Sequence, residues 1–470
     1  MATPETQAVR ASRAAALTGF PAASYHAVDR GIAMRQDRYG LPVTTGSEAA
    51  LAAYDRAVAL HLSANAGDEP AFKEALAADP GFALAHVGLA RSQYLFARIA
   101  EARDNAKRAV ECVAAGTDRE KGHVQAISLA IAGNLPGALD AVLGHVARWP
   151  RDAMVLAQAL GVYGLIAFSG RKEHHAEQRA LLDSLAPRWG EEWWFLGYWG
   201  WSHAETGEAK RGGELVDRSL ARYPRNAHAA HARCHAHIEC GQPDRGYAFV
   251  KDWLPPYDPA SLMHCHLSWH AALFELDLGK TDAAFQRYLA GVRPSASRCA
   301  PMPTLADSAS FLWRCGLRGA GPKPLPWPEV AQYAQQSFPK ARLAFADLHA
   351  AMAAAATGDR AALERRVEEL EALLKDGKLP QGAVVPLLCR MLGAFARGDD
   401  IEALRCYAMA RSDLPRCAGS HAQREVFEDT AIAAALRAKR RDTARELLEA
   451  RLKRRPSARD AAAMGTLAAT

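Results

Sequence analysis

The sequence predicts an all-α fold, a right-handed solenoid of stacked helix pairs. Alanine is abundant, and the run 351–356 reads AMAAAA, a string of strong helix formers. Segments in which Val, Ile or Thr alternate with polar residues are nearly absent, so strands have little from which to form. Glycine and proline recur at fixed spacing, which favours repeats that each bury a face against their neighbours.

The spacing of glycine and proline defines the repeat. Three glycines are each followed by a proline 17 residues later, at Gly133–Pro150, Gly207–Pro224 and Gly398–Pro415. Glycine relieves the crowded backbone of a tight turn between helices, and proline cannot continue the second helix. Gly207 and Gly241 are 34 residues apart, which is the tetratricopeptide period. The predicted fold class is therefore a solenoid of tetratricopeptide-like helix-turn-helix repeats.

The repeat pattern divides the chain into five predicted segments. They are an N-terminal arm (1–45), N-terminal tetratricopeptide repeats (46–300), a Pro-rich interruption (301–330), C-terminal helical repeats (331–460) and a tail (461–470). A cluster of prolines predicts the interruption, with a loop over 316–328. The arm matches no repeat, so we expect it to lie on the first helices or to be partly disordered.

Composition argues against several classes of protein. The net charge of +6 is modest and both signs are interleaved along the chain, so we expect no nucleic-acid partner. No stretch reaches the roughly 18 apolar residues that span a membrane, and no membrane partner is expected. The nine cysteines include no CxxC pair, which indicates free thiols in a reducing compartment. We expect a cytoplasmic protein, and a homodimer is left open as its assembly.

Two HxxxH pairs are the most informative chemical pattern. His231 and His235 form one pair, and His266 and His270 form the other. A spacing of four places both imidazoles of a pair on one face of a helix. Because the two pairs lie 35 residues apart, about one repeat, we expect all four imidazoles to meet at one point. They are candidate ligands of a divalent transition metal, or acids and bases in catalysis.

Further titratable residues continue this pattern through the following repeats. Asp307, Asp347 and His349 are predicted as catalytic neighbours, with Asp307 or Asp347 orienting an imidazole. Glu205 lies in the repeat before His231. We expect these side chains on the inner, concave face of the array, where they line a polar groove.

A second set of residues is predicted to bind a ligand in the same groove. Its members are polar or charged side chains on predicted helices: Glu205, Arg314, Gln423 and Arg424. Ser420 is a plausible N-cap, and a helix start with Arg424 nearby could hold a carboxylate or phosphate. The alternative is a capped, salt-bridged helix start with no ligand.

Two hypotheses of function remain open at this point. The first is a binding module whose groove holds a small acidic ligand or a peptide. The second is an enzyme that performs metal-assisted or His/Asp acid–base hydrolase or lyase chemistry on a small molecule. A structural alternative stands beside both, because the chain has 17 histidines and buried histidines are often ordinary hydrogen-bonded core residues.

The sequence also resembles the tetratricopeptide repeat protein 38 family, from about residue 40 to about residue 455. The resemblance rests on short motifs, namely Ala78-Asp79-Pro80-Gly81-Phe82 with His86, His123, the two HxxxH pairs with Cys265 and Trp269, Asp307-Ser308 with Leu312 and Arg314, Phe345 with Asp347 and His349, and Gly419-Ser420 with Ala422-Gln423-Arg424. The tryptophan-rich stretch 193–201 departs from it. The resemblance implies the repeat fold more firmly than any activity.

Overall fold

The computed structural model describes residues 34–469. Two compact units make up the chain. Among the described residues, unit 1 comprises 34–62, 67–159 and 180–190, and unit 2 comprises 63–66, 160–179 and 191–469. Within 34–469, no helix has both the length and the apolar character needed to cross a membrane.

Unit 1 begins with a β-hairpin and continues in helices. Its antiparallel strands are β1 (Met34–Gln36) and β2 (Pro42–Thr44), with Arg35 opposite Val43. The helices that follow are α1 (Glu48–Leu62), α2 (Asp68–Ala78), α3 (Ala83–Leu95), α4 (Ile99–Cys112), α5 (Asp118–Ile131), α6 (Leu135–Arg148) and α7 (Ala153–Leu156). The expectation that no sheet forms is wrong at this hairpin. Asp37 closes its turn, because the carboxylate accepts the N–H groups of Tyr39 and Leu41.

Unit 2 contains the remaining helices. One of them, α9 (His174–Trp189), is divided: its residues up to Arg179 belong to unit 2 and the rest to unit 1. They are α8 (Leu165–Phe168), α9 (His174–Trp189), α10 (Trp193–Ala204), α11 (Ala209–Arg222), α12 (Ala227–Glu239), α13 (Pro243–Trp253), α14 (His264–Asp277), α15 (Thr281–Gly291), α16 (Pro301–Arg318), α17 (Trp327–Ser337), α18 (Ala344–Thr357), α19 (Arg360–Lys375), α20 (Val384–Ala396), α21 (Asp400–Ala410), α22 (His421–Arg437), α23 (Arg441–Arg454) and α24 (Ala458–Ala469). The predicted helix-turn-helix repeats are therefore confirmed.

The turn glycines adopt the backbone conformation that the repeat requires. The φ angles of Gly133, Gly207 and Gly398 are +87°, +90° and +80°, in the left-handed region that favours glycine. Pro224 follows the end of α11 by two residues, as predicted. Pro415 differs, because it lies inside a 3-10 helix (Arg411–Cys417) that directly follows α21.

Helix pairs in unit 2 pack closely where small residues face each other. A Cβ atom at Gly200 of α10 would lie 2.7 Å from the carbonyl oxygen of Gly212 in α11. A Cβ at Gly212 would lie 2.5 Å from the carbonyl oxygen of Gly200. The two backbones are therefore in contact at this crossing, and any side chain there would separate the helices.

The Pro-rich segment 301–330 is more regular than its prolines predict. Helix α16 begins at Pro301, and Pro303 also lies in its first turn, where a missing N–H group removes no helical hydrogen bond. The irregular part is confined to residues 319–326, between α16 and α17. The segment predicted as a tail is helical up to Ala469 as part of α24. Of the predicted arm, residues 1–33 lie outside the described part of the chain.

Candidate functional site

Four imidazoles of unit 2 converge on one point. Helix α12 supplies His231 and His235, and α14 supplies His266 and His270. Ring centroids of neighbouring imidazoles are 4.4 to 5.0 Å apart. One ring nitrogen from each residue lies within 4.8 Å of the others, and all four side chains are buried. The convergence expected from the spacing of the two pairs is therefore present.

The Nε2 atoms of three of these residues face one another directly. His231 Nε2 is 2.8 Å from His235 Nε2 and 3.1 Å from His266 Nε2. A neutral imidazole carries one N–H donor and one lone pair. His231 can therefore donate from Nε2 to only one of its two neighbours, or to neither.

Two buried carboxylates fix the tautomers of the neighbouring rings. His235 Nδ1 donates to Glu205 at 2.8 Å, and His266 Nδ1 donates to Asp307 at 2.9 Å. A carboxylate can only accept at neutral pH, so the proton of each neutral ring lies on Nδ1. The Nε2 lone pairs of His235 and His266 are consequently both directed towards His231. A carboxylate behind an imidazole in this way is the usual outer support of a metal ligand.

His270 completes the cluster and has no other visible purpose in the core. Its side chain is fully buried, and neither ring nitrogen has a hydrogen-bond partner among residues 34–469. Burial, together with the neighbouring His266 and His235, holds the pKa of His270 well below its usual range. The same causes lower the pKa of His231, with burial the largest. Both rings are therefore neutral and can offer lone pairs to a cation.

The donor set suits a borderline transition metal. Four neutral imidazole nitrogens are typical ligands of Zn²⁺, Cu²⁺, Ni²⁺ or Fe²⁺, whereas Mg²⁺ and Ca²⁺ prefer oxygen. Tetrahedral Zn–N bonds of about 2.0 to 2.1 Å place the nitrogens about 3.3 Å apart. The Nε2 separations of 2.8 and 3.1 Å reach that value with small side-chain shifts. Within the described residues, the cluster therefore fits such an ion.

Glu205 connects the cluster to a second group of histidines in unit 2. Its other carboxylate oxygen accepts the backbone N–H of His421 at 2.9 Å and lies 3.6 Å from His175 Nε2. Burial acts to raise the pKa of Glu205, but the neighbouring His421 and His235 side chains hold this pKa well below its usual range. Glu205 is thus an anion that orients an imidazole rather than a free ligand group. Sequence reasoning missed His175, which lies in the first turn of α9 and belongs to neither HxxxH pair.

The polar residues predicted to bind an acidic ligand are engaged by the protein itself. Arg314 donates to the carbonyl of Ala422 at 2.6 Å, and Arg424 donates to the carbonyl of Ala418 at 3.1 Å. Both guanidinium groups are buried. These hydrogen bonds leave a carboxylate or phosphate ligand little to bind, so the acidic-ligand role of Arg314 and Arg424 stays a prediction without structural support.

Gln423 has a structural role at the start of α22. Its side-chain oxygen accepts the N–H of Ser420, and the Ser420 hydroxyl accepts the N–H of Gln423, which completes a capping box. Its amide nitrogen donates to the hydroxyl of Tyr163 at 3.0 Å. The capped helix start that the sequence left as an alternative is therefore present here.

Asp347 and His349 are engaged elsewhere in unit 2. Asp347 pairs with Arg366 at 2.7 Å, and His349 Nδ1 donates to the carbonyl of Phe345 at 2.7 Å. Burial raises the pKa of Asp347 to about 6, although Arg366 opposes that shift. Of the two carboxylates considered for orienting an imidazole, Asp307 does so and Asp347 bonds to arginine instead.

Unit 1 holds a separate cluster around Asp152. This buried carboxylate accepts from Arg119 Nε at 2.7 Å, His123 Nδ1 at 3.0 Å and His145 Nε2 at 2.9 Å. Arg119 also donates to Asp37 at 3.1 Å. Because a guanidinium already occupies the carboxylate that would bind an ion, this cluster is an ion-pair network that stabilises the fold. His123 is one of the residues that carry the family resemblance, but no member of this cluster was predicted as a site residue.

Comparison with known proteins gives distant structural likenesses at low sequence identity. No family model matches this chain. The chain is similar to the human IFIT1 dimer with PPP-AAAA, at 13% identity over 83% of this chain and 91% of that chain, with a TM-score of 0.39. It is also similar to yeast Tom70, at 13% identity over 89% and 95% of the two chains, with a TM-score of 0.34. The all-α fold of tetratricopeptide-like repeats rests on the helix pairs of residues 34–469, and no ligand or activity follows from these similarities.

Proposed function

We propose that the protein is a metal-binding repeat protein in which His231, His235, His266 and His270 hold one divalent transition metal ion. The observation that carries this proposal is the convergence of Nε2 atoms. The lone pairs of His235 and His266 both face His231 Nε2, and His270 adds two unpartnered buried nitrogens. Each unsatisfied buried polar group costs about 1 to 3 kcal/mol. A cation at the centre of the four rings would take one lone pair from each imidazole, including one of the two unpartnered nitrogens of His270.

Of the two functional hypotheses, the arrangement offers the enzyme a metal centre, whereas Arg314 and Arg424 are already hydrogen-bonded within the protein. Four imidazoles would fill a tetrahedral shell, so the ion would act as a Lewis acid or lower the pKa of a bound water only after it gained a fifth ligand or one imidazole moved away. Asp307 and Glu205 would position His266 and His235 for that role. A role in protein interaction in general also fits a repeat array, whose stacked helices present extended surfaces.

Membership of the tetratricopeptide repeat protein 38 family belongs to the same proposal. The two HxxxH motifs that carry the resemblance are the residues that converge in unit 2. Asp307, which also carries it, accepts the hydrogen bond from His266. A repeat framework alone requires only its small residues and turn glycines. A shared buried site would explain why the resemblance lies in titratable residues.

The proposal is tested by titrating Zn²⁺ and Co²⁺ into chelator-treated protein and measuring the bound metal. We expect about one ion per chain, in keeping with a single four-nitrogen site. The His266→Ala variant is expected to lose stoichiometric binding. His264→Ala is the matched control, because His264 begins the same helix but lies outside the cluster, and it should bind as the natural chain does. Failure of the natural chain to bind either ion, or equal binding by His266→Ala, would overturn the proposal.

The hydrogen bond from His266 to Asp307 leads to a second expectation. Asp307→Asn should weaken metal affinity by about 10- to 100-fold, because the amide no longer supports the tautomer that directs Nε2 to the ion. The melting temperature of the metal-free Asp307→Asn variant should stay close to that of the metal-free natural chain. Asp282→Asn, an exposed change on α15, serves as the control. An unchanged affinity in Asp307→Asn would show that Asp307 does not position His266.

A further inference from the structure

Two cysteines meet beside the imidazole cluster. Cys299 lies just before α16, and its Sγ accepts the backbone N–H of Cys265, in the first turn of α14, at 3.1 Å. The Cys299 thiol itself donates to the carbonyl of Ser261 at 3.4 Å. Cys265 is fully buried, whereas Cys299 is partly exposed. Cys299 is therefore the member of the pair with solvent-accessible surface, and its sulfur lies against the backbone of Cys265.

The surroundings of Cys299 favour its thiolate. The start of a helix provides N–H donors and a positive dipole end, which stabilise a thiolate. The neighbouring Cys265 side chain and N–H lower the pKa of the Cys299 thiol despite its burial, whereas Cys299 and burial raise the pKa of the Cys265 thiol well above its usual range. Cys112 and Cys240 are also partly exposed, but burial raises the pKa of both. Cys299 is thus distinguished from the other reachable thiols by its neighbours rather than by exposure alone.

We propose that Cys299 and Cys265 form a modification site for hydroperoxides, in which Cys299 is oxidised first and Cys265 resolves it. The Cys299 thiolate attacks one oxygen of hydrogen peroxide, the O–O bond breaks, and the sulfur becomes a sulfenic acid while hydroxide leaves. The Cys265 sulfur then attacks the Cys299 sulfur, and the sulfenic hydroxyl leaves as water. The two thiols supply two electrons, and one peroxide becomes two waters.

The resulting disulfide would change the imidazole cluster next to it. Cys265 directly precedes His266, and its Sγ lies 3.9 Å from Asp307 Oδ2, the carboxylate that holds His266. A bond from Cys265 to Cys299 would fix the first turn of α14 to the segment before α16. We expect this to weaken metal binding by about tenfold, within the range found when outer support of a ligand is disturbed. This consequence rests on the proposed metal centre, whereas formation of the disulfide does not.

The test treats the reduced, metal-free chain with a small excess of hydrogen peroxide, blocks the remaining thiols and maps peptides by mass spectrometry. We expect a Cys265–Cys299 disulfide in the natural chain and in Cys112→Ser and Cys240→Ser. The Cys265→Ser variant should instead retain a sulfenic acid on Cys299 that dimedone traps. Absence of the disulfide in the natural chain, or oxidation of Cys299 no faster than that of Cys112, would overturn the proposal.

A second measurement separates this proposal from the metal centre. Zn²⁺ affinity is compared among reduced, oxidised and re-reduced protein, with Cys299→Ser treated in parallel. A tenfold loss that is reversed by reduction and absent in Cys299→Ser would support the coupling. Equal affinity before and after the disulfide forms would overturn the coupling. Failure of the reduced protein to bind Zn²⁺ would count against the proposed function, and the peptide map would still decide the thiol pair.

Discussion

Lowering the pH from 7 to 5 is expected to reduce the stability of metal-free unit 2 by at least about 4 kcal/mol. Burial lowers the pKa of His237 and His349 to about 4 and that of His174 to about 3. Unfolded histidine titrates near pH 6.5. A group whose pKa is lower in the folded state contributes its full stability above pH 6.5 and loses it as the pH falls towards the folded value. At pH 5 that loss is about 2 kcal/mol for each of the three side chains.

One buried acid acts in the opposite direction. Burial raises the pKa of Asp347 to about 6, above the usual value near 3.8, so its protonation favours the folded state as the pH falls. At pH 5 this offsets about 1.4 kcal/mol. The histidines together outweigh it, which gives the expected net loss.

Urea unfolding at pH 7 and pH 5, in the presence of a chelator, measures this effect. His349→Asn removes one of the three titrations, so its pH-dependent loss should be smaller than that of the natural chain by about 2 kcal/mol. A free energy of unfolding that is equal at both pH values would mean that these imidazoles accept protons without unfolding. If His349→Asn kept the full pH-dependent loss, His349 would not contribute to the pH dependence of stability.

Replacing Asp152 by alanine is expected to destabilise unit 1 by about 3 to 5 kcal/mol. The change removes the carboxylate that accepts from Arg119, His123 and His145, all of which are buried. Arg119 would keep only Asp37 as an ionic partner. A buried charge that has lost a partner costs far more than a surface ion pair contributes.

Hydrogen exchange localises this effect within the chain. Amides of α5 and α6 should lose protection in Asp152→Ala, whereas those of α12 and α14 in unit 2 should keep it. Asp118→Ala is the control, because Asp118 pairs with Arg148 at 3.8 Å and both side chains are more than half exposed, at 78% and 59%. That change should cost less than about 1 kcal/mol. Equal protection in Asp152→Ala and the natural chain would show that the network does not stabilise unit 1.

The fold could be predicted from the sequence because the repeat leaves its mark in small residues. Gly133, Gly207 and Gly398 occupy turns that require a positive φ, so their spacing reports the architecture directly. The β-hairpin was missed because its strands are three residues long and its turn depends on one aspartate, Asp37. The proline cluster predicted less helix than the segment contains, because Pro301 and Pro303 lie in the first turn of α16, where a helix tolerates proline.

The candidate site was predictable only in part. The helix period places residues four apart on one face, and the repeat period places residues about 35 apart on adjacent helices. These two periods therefore bring together His231, His235, His266 and His270. The roles of Glu205 and Asp307 depend on which oxygen meets which nitrogen, and sequence spacing does not determine that. The predicted ligand-binding role of Arg314 lacks support for a related reason. Sequence spacing does not tell whether an arginine faces a ligand or a buried carbonyl, and Arg314 donates to the carbonyl of Ala422.

X-ray absorption spectroscopy at the zinc edge of the zinc-loaded protein measures the ligands of the ion directly. We expect nitrogen neighbours at about 2.0 to 2.1 Å, with the scattering pattern of several imidazoles, and a clear loss of that pattern in His266→Ala. A first shell made mainly of oxygen, or a spectrum that is the same in His266→Ala, would contradict this expectation.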